Sequence, residues 1–169
     1  MMEPKTLTQG ITADDWARLA RLAETTPEQL QSQYEAALEN HPYILRKIEV
    51  RTGDAVQSGD CIGRDFDISV FDVLGITGNV EFCATSSDDW SAKLHVCLEL
   101  AGSSVWCTDY TLSPTNTSIC YHPDLTAVKA DFCIGIVGQN HCFNVNGDAC
   151  YWALSWHCAN FNETPFCFG

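Results

Sequence analysis

The sequence contains no two cysteines within four residues of each other, so it lacks the paired ligands of common structural zinc sites and thioredoxin-like redox motifs. It contains no run of 18 apolar residues, and we therefore predict no membrane span. A G-x-S-x-G nucleophile elbow, a recognisable cysteine-protease signature and Gly-rich phosphate loops are also missing. Because no known catalytic motif is present, we predict that the protein is not an enzyme and has no required cofactor.

Basic side chains are scarce. The 169 residues include 9 Lys and Arg against 22 Asp and Glu, which gives a formal net charge of −13. Such a charge repels nucleic-acid phosphates and anionic lipid surfaces, because binding to either depends on Lys and Arg. We therefore predict no nucleic-acid partner, and we attribute most of the acidity to solubility.

An apolar leader segment is missing as well. The N-terminal residues MMEPKTLTQG have no h-region of a Sec signal peptide, and a polar helical pattern follows them. The cysteine content nevertheless favours an oxidising, extracellular or cell-surface location. Three explanations stay open: an export route that reads no hydrophobic signal, a signal missing from this chain, or a cytosolic protein with reduced thiols.

The first segment of the chain has the periodicity of two short helices over residues 12–40. Thr12 is a suitable N-cap with Asp15 three residues on, and Thr26 with Gln29 forms a T-x-x-Q capping box. The second helix is expected to end at Asn40-His41-Pro42. Residues 1–42 are thus predicted to form a helical hairpin.

The role of this hairpin has more than one interpretation. Two helices across a tight turn are compatible with a DNA-binding motif, but residues 1–49 carry five basic and eight acidic side chains, which argues against phosphate contact. A cap that packs on the following sheet is the favoured interpretation. A leader or docking segment recognised by another protein is the alternative.

Residues 43–169 are predicted to form a cysteine-rich β domain. The period changes toward two after Tyr43, and turn residues recur every eight to twelve positions, which is typical of an all-β antiparallel sandwich or barrel of about 8–10 strands. Tyr43 to Arg51 is the first predicted strand, Thr52 to Arg64 a loop, and Ala101-Gly102 and Asn146-Gly147-Asp148 are predicted turns. Further strands are predicted near residues 66–74, 79–85, 92–100, 103–112, 117–121, 127–137, 141–146, 150–158 and 164–168.

The cysteines occur at about one per predicted strand, and most lie on the face away from the main core. In residues 92–100, Leu94, Val96 and Leu98 share one face, whereas Cys97 alternates with them. We therefore predict disulfides that join adjacent strands across the outer face of a sheet, with the connectivity left open. Cys150 and Cys158 share a face with tryptophans and are expected to be more buried. The candidates are Cys61, Cys83, Cys97, Cys107, Cys120, Cys133, Cys142, Cys150, Cys158 and Cys167.

Two kinds of binding residue are candidates. Trp90 in the sequence SSDDW and the pair Tyr121-His122 are the aromatic side chains we expect to be exposed and available to a ligand. Asp60, Asp65 and Asp67 surround a Gly-rich loop that could wrap Ca²⁺. The EF-hand spacing is absent, so solvated loop carboxylates are the favoured interpretation of these three residues.

One strand face carries the candidate residues for both a transition-metal site and a hydrolase site. His95 and Cys97 are the pair with suitable spacing for joint metal ligation, although solvated or structural histidines are the simpler interpretation. The same face carries Glu99, and a hydrolase site near His95 and Glu99 is the least favoured functional class.

The function that these observations favour is non-catalytic recognition. We expect an extracellular or surface-associated module that binds a glycan or protein through strand-end loops and exposed aromatics. A secreted effector or toxin-like protein, with the helical segment as leader or docking element, is the alternative. Ligand identity and the choice between monomer and dimer stay open.

Overall fold

Two antiparallel β-sheets and two helices make up residues 8–39 and 48–169, the part of the chain that this computed structural model describes. The fold is therefore the disulfide-rich all-β class predicted from the sequence. The predicted boundary between residues 42 and 43, the helix end at Asn40-His41-Pro42 and the start of the first strand at Tyr43 lie outside the described residues. No helix among the described residues is long and apolar enough to cross a lipid bilayer.

Helices α1 (Ala13–Leu22) and α2 (Pro27–Glu39) form the predicted hairpin. The backbone N–H of Asp15 donates to Thr12 Oγ1, and the Asp15 carboxylate accepts from the Thr12 N–H, which completes a capping box. At α2 the Gln29 N–H donates to Thr26 Oγ1 at 3.2 Å. The predicted cap at Thr12 is therefore complete. At Thr26 only half of the predicted capping box is formed, because Gln29 Oε1 accepts from Thr25 Oγ1.

The larger sheet contains the first six strands of the fold. Its strand order is β1-β3-β4-β5-β6, and β2 pairs with β3 beside this path. The strands are β1 (Ile48–Thr52), β2 (Val56–Ser58), β3 (Cys61–Val70), β4 (Leu74–Ser86), β5 (Asp89–Leu100) and β6 (Ser103–Leu112).

The smaller sheet has the order β10-β9-β8-β7. Its strands are β7 (Ser118–Tyr121), β8 (Val128–Val137), β9 (Cys142–Trp152) and β10 (Trp156–Cys167). The inner faces of the two sheets share one core, in which the rings of Phe66 and Phe143 lie 4.8 Å apart. Alternation along β5 buries Leu94, Val96 and Leu98 in this core, as the period of two requires.

The helical hairpin packs on one end of this sandwich. The Tyr34 hydroxyl donates to the backbone oxygen of Trp152, and the Trp152 indole N–H donates to the oxygen of Gln9 at 2.8 Å. Ser103 Oγ, at the start of β6, donates to Gln33 Oε1 at 2.9 Å. The hairpin therefore lies against the end where β6 begins and β9 ends, and its buried side chains belong to the common core.

Five disulfides join neighbouring strands, as the distribution of cysteines predicts, and the described residues contain no free cysteine. Each bridge links two residues that face each other in the antiparallel register. The bridges are Cys61–Cys83, Cys97–Cys107, Cys120–Cys133, Cys142–Cys167 and Cys150–Cys158. Such a set is typical of proteins from an oxidising compartment.

The bridge between Cys150 and Cys158 differs partly from expectation. Cys150 is buried, but Cys158 is exposed, so only one of the two sulfurs is shielded. The core face of β9 carries Ala149 and Tyr151 instead, and the tryptophan-bearing face is the outer one. The expected burial is therefore confirmed for Cys150 and wrong for Cys158.

Two predicted irregular segments are regular strands. The segment from Thr52 to Arg64 contains β2 and the first residues of β3, which pair as a hairpin around Gly59. Asn146-Gly147-Asp148 is not a turn, because β9 continues through it. Gly147 has φ +147°, and a Cβ there would lie 2.1 Å from the Asp131 oxygen of the adjacent strand. The glycine thus permits a close approach of two backbones, and the chain reverses at residues 153–155 instead.

Candidate functional site

An open cleft of about 840 Å³ lies at the end of the sandwich away from the helices. Three loops form it: the β4–β5 turn, the β6–β7 connection and the β8–β9 turn. Its polar lining consists of His141, treated below, and of Ser87, Asp88, Thr117 and Gln139. Loops at the end of a rigid sandwich are a common location for binding sites, so this cleft is the main candidate.

The apolar lining lies beside these polar groups. Val137 is 47% exposed at the rim, and Pro114, Ile136 and Trp90 complete the apolar surface. The cleft therefore offers one carboxylate, one amide and two hydroxyls next to aliphatic and aromatic carbon. This combination suits a ligand that has both hydroxyl groups and apolar faces.

His141 fixes the floor of the cleft. Its side chain is buried, with Nδ1 at 3.1 Å from the oxygen of Gly169 and Nε2 at 3.1 Å from the oxygen of Ser87. Its ring also contacts Trp90 and Phe82, with centroids 5.8 and 5.2 Å apart. Both ring nitrogens are directed at backbone carbonyls, so the imidazole is placed to hold loops together rather than to activate a hydroxyl.

The expectation that Trp90 is exposed is wrong. Strand β5 begins at Asp89, three residues earlier than predicted, and Trp90 therefore falls on the same inward face as Ala92 and Leu94. It is 7% exposed and packs on Phe82, with ring centroids 5.6 Å apart. It contributes to the lining of the cleft without forming an open stacking platform.

Tyr121 and His122 do not line the cleft. Tyr121 is half-buried against Trp106 and Phe132, with ring centroids 5.3 and 5.7 Å away, and burial raises the pKa of its hydroxyl. His122 points to solvent and contacts Asp131 at 2.5 Å. The structure therefore does not bring the three predicted ligand residues together, and only His122 is freely exposed.

The predicted calcium ligands are dispersed along one hairpin. Asp60 lies in the β2–β3 turn, whereas Asp65 and Asp67 are two residues apart on β3. Among the described residues, these carboxylates do not bring three ligand atoms within 4.8 Å of one another. Calcium needs six to eight oxygens, so the calcium prediction has no assembled site here.

His95 and Cys97 do come together on the outer face of β5. His95 Nε2 lies 3.5 Å from Cys97 Sγ, and His95 Nδ1 lies 2.7 Å from Asp109 Oδ1. Ligand atoms of His95, Cys97 and Cys107 lie within 4.8 Å of one another. Both sulfurs are joined in a disulfide, however, so neither is a thiolate that could bind a metal.

Glu99 does not join this group. It is four positions along β5 from His95, a separation of about 13 Å at the usual strand rise. It lies in a separate cavity of about 140 Å³ with Asp67 and Arg51. Burial, followed by the charge of Asp67, raises the pKa of Glu99. The two residues proposed for a hydrolase therefore form no acid–base pair.

Sequence reasoning did not identify Ser87, Thr117, Gln139 or His141 as parts of one site. Each lies in a short polar connection between two strands, and only the ends of the sandwich place these connections side by side. The feature of the sequence that could have indicated these residues is the position of the turns between the predicted strands. No protein-family model, no curated protein and no solved structure is significantly similar to this chain.

Proposed function

We propose that the protein is a non-catalytic, extracellular or cell-surface binding module that takes a neutral glycan in the cleft between its three loops. The observation that carries the proposal is the lining of this cleft: Asp88, Gln139 and Thr117 beside apolar rim residues such as Val137. Sugars present hydroxyls at their edges and C–H groups on their faces, and this lining offers partners for both.

The charge of the site favours neutral over anionic sugars. Asp88 is the ionisable acid in the lining, and no Lys or Arg of the described chain lines the cleft beside it. A carboxylate accepts hydrogen bonds from sugar hydroxyls, and charged hydrogen bonds contribute about 1.5–3 kcal/mol. The negative charge of Asp88 repels sulfated or carboxylated glycans. The formal net charge of the whole chain, −13, adds to this repulsion.

The scaffold limits the motion of the loops. Cys142, directly after His141, is bonded to Cys167, and the backbone N–H of Phe168 donates to the His141 oxygen at 3.0 Å. The Ser87 oxygen lies against the opposite side of the His141 ring. Preorganised loops reduce the ordering cost of binding, which suits recognition by a shallow, polar site.

The test is calorimetric titration of the full chain with a panel of neutral oligosaccharides and one sulfated oligosaccharide. We expect binding of at least one neutral member, and Asp88→Asn should weaken it by about tenfold or more through loss of a charged hydrogen bond. Gln139→Ala should also weaken binding.

Asp72→Asn is the matched control. Asp72 lies in the β3–β4 turn at the opposite end of the sheet, and its φ of +59° suits Asn equally well. This variant changes the charge by the same amount and should leave affinity within twofold. Failure of every glycan to bind, or an equal loss with Asp72→Asn, contradicts the glycan proposal. Binding of a peptide in the same cleft would replace the glycan with a protein ligand.

A further inference from the structure

One disulfide of the larger sheet has a histidine–carboxylate pair beside it. Cys97 on β5 is bonded to Cys107 on β6, and His95 Nε2 lies 3.5 Å from Cys97 Sγ. The other ring nitrogen of His95 lies 2.7 Å from Asp109 Oδ1. These four residues occupy the outer faces of two paired strands, in which His95 faces Asp109 and Cys97 faces Cys107.

The carboxylate determines the orientation of the ring. Asp109 accepts the Nδ1–H of His95, and this bond directs Nε2 at the sulfur of Cys97. When the ring is protonated, Nε2–H donates toward that sulfur. A histidine cation beside a cysteine favours its thiolate over its thiol, so the arrangement stabilises Cys97 as the departing sulfur when the bridge opens.

The two sulfurs also differ in access. Cys107 is exposed, whereas Cys97 is 8% exposed. An incoming thiolate therefore reaches Cys107 first, and the sulfur that departs is the one beside His95. Access and leaving-group stabilisation favour the same direction of attack.

We infer that the Cys97–Cys107 bridge is a thiol–disulfide exchange site whose substrate is a thiolate of another molecule. The thiolate attacks Cys107 Sγ, forms a mixed disulfide with it and breaks the Sγ–Sγ bond. The electron pair goes to Cys97 Sγ, which becomes a thiolate beside the His95 ring. A second thiolate then attacks the substrate sulfur of the mixed disulfide, which releases the oxidised substrate and leaves Cys107 reduced.

A shallow depression lies beside the His95–Asp109 pair, two register positions from the bridge, and can receive the part of the substrate next to its thiolate. It has a volume of about 320 Å³, and its charged lining consists of Glu81, Lys93, His95 and Asp109. Because it is open and mixed in charge, it can accept either a small thiol or the backbone beside a peptide cysteine. The shared chemistry is the thiolate, and the two sources can be compared directly.

The Cys61–Cys83 bridge of the same sheet is an internal control. It also joins facing residues of adjacent antiparallel strands. Its neighbour is an acid, because Glu81 Oε1 lies 3.9 Å from Cys83 Sγ. An adjacent carboxylate disfavours a thiolate, so this bridge should resist the reagents that open Cys97–Cys107.

The experiment exposes the folded full chain to reduced glutathione, or to a short peptide with one cysteine, and traps free thiols by alkylation at timed intervals. Peptide mapping by mass spectrometry then assigns each modified cysteine. We expect Cys97 to be alkylated first and Cys107 to carry the mixed disulfide, while Cys61 and Cys83 stay bonded. Faster reaction with the peptide than with glutathione would support use of the depression.

His95→Gln removes the ring without touching the bridge. Its matched control is His122→Gln, because His122 forms an exposed histidine–carboxylate pair with Asp131 and does not line the depression. We expect His95→Gln to slow exchange at Cys97–Cys107 by about 3- to 10-fold, because a less stabilised thiolate departs more slowly. His122→Gln should leave exchange at this bridge within twofold. Glu81→Gln is used only for the second bridge, where loss of the carboxylate beside Cys83 should speed opening of Cys61–Cys83. Intact mass and melting temperature verify that each variant retains five bridges and the fold.

Three results would overturn the inference. These are simultaneous reduction of all five bridges, attachment of the substrate to Cys97 rather than Cys107, and unchanged exchange in a correctly folded His95→Gln variant.

Discussion

His141 Nε2 lies 3.1 Å from the backbone oxygen of Ser87, although the two residues are 54 positions apart in the chain. The contact joins the β8–β9 turn of the smaller sheet to the β4–β5 turn of the larger sheet. One buried imidazole therefore connects the two halves of the cleft across the gap between the sheets.

Replacement of this imidazole should destabilise the protein. His141→Ala removes the contacts with both carbonyls and leaves space beside Phe82 and Trp90, and we expect a loss of about 2–4 kcal/mol in the free energy of unfolding. Urea denaturation measures the loss. His95→Ala, an exposed histidine on the outer sheet face, is the control and should cost less than about 0.5 kcal/mol. Equal effects of the two variants would contradict the structural role of His141.

The buried hydroxyl of Tyr34 should contribute to the attachment of the helical hairpin. Tyr34→Phe removes its hydrogen bond to the Trp152 oxygen and leaves that carbonyl without this donor, so we expect a loss of about 1–2 kcal/mol in chemical denaturation. Tyr110→Phe is a matched control, because its hydroxyl accepts from Asn116 at a more exposed position. A larger loss for Tyr110→Phe would be inconsistent with the hairpin acting as a cap.

Stability should fall at alkaline pH. Burial raises the pKa of Tyr34 well above its usual value of 10.0, and burial also raises the pKa of Tyr151. The unfolded chain releases these protons at a lower pH than the folded chain does. The stability they contribute is therefore fully present below pH 10 and is lost as pH rises above it, by about 1.4 kcal/mol per pH unit for each fully buried tyrosine.

Denaturation at pH 9, 10 and 11 measures this dependence. Tyr34→Phe should reduce the slope above pH 10, since one of the two fully buried tyrosine hydroxyls is then absent. A slope identical to that of the unmodified protein would show that Tyr34 does not stay protonated in the folded state.

Gly147 should tolerate no side chain. Gly147→Ala places a Cβ 2.1 Å from the Asp131 oxygen, far inside van der Waals contact, and we expect a loss of more than about 3 kcal/mol or failure to fold. Gly102→Ala is the control, because Gly102 also has positive φ, at +88°, but has nothing within 4 Å of an added Cβ. Its cost should be only the backbone strain of about 1–2 kcal/mol. Thermal melting of both variants compares the two, and a smaller loss at Gly147 would contradict the strand pairing.

The sequence was sufficient for features that depend on local pattern. The caps at Thr12 and Thr26 follow from a hydroxyl placed three residues before a backbone N–H that needs a partner. The period of two places Cys97 on the other face of its strand from Leu94, Val96 and Leu98, and this follows without knowledge of the partner strand. The all-β class, the helical hairpin and the outward position of most cysteines could therefore be predicted.

Errors occurred where a local signal competed with a long-range contact. Gly147 has the sequence context of a turn. In the structure its lack of a side chain instead allows the backbones of β8 and β9 to lie close together. Trp90 follows polar residues that suggest a loop. Its burial depends on a β4–β5 turn that is shorter than predicted and on contacts with Phe82 and His141. The site residues of the cleft were missed for the same reason, because they come from three separate loops.

The sequence by itself thus determined the class of fold and the face on which most side chains lie, because alternation and capping act over a few residues. Only the tertiary structure decided which cysteines are bonded, which loops meet at the cleft, and that Asp109 orients His95 toward Cys97. Strand register sets these relationships, and register depends on the simultaneous packing of both sheets around one core.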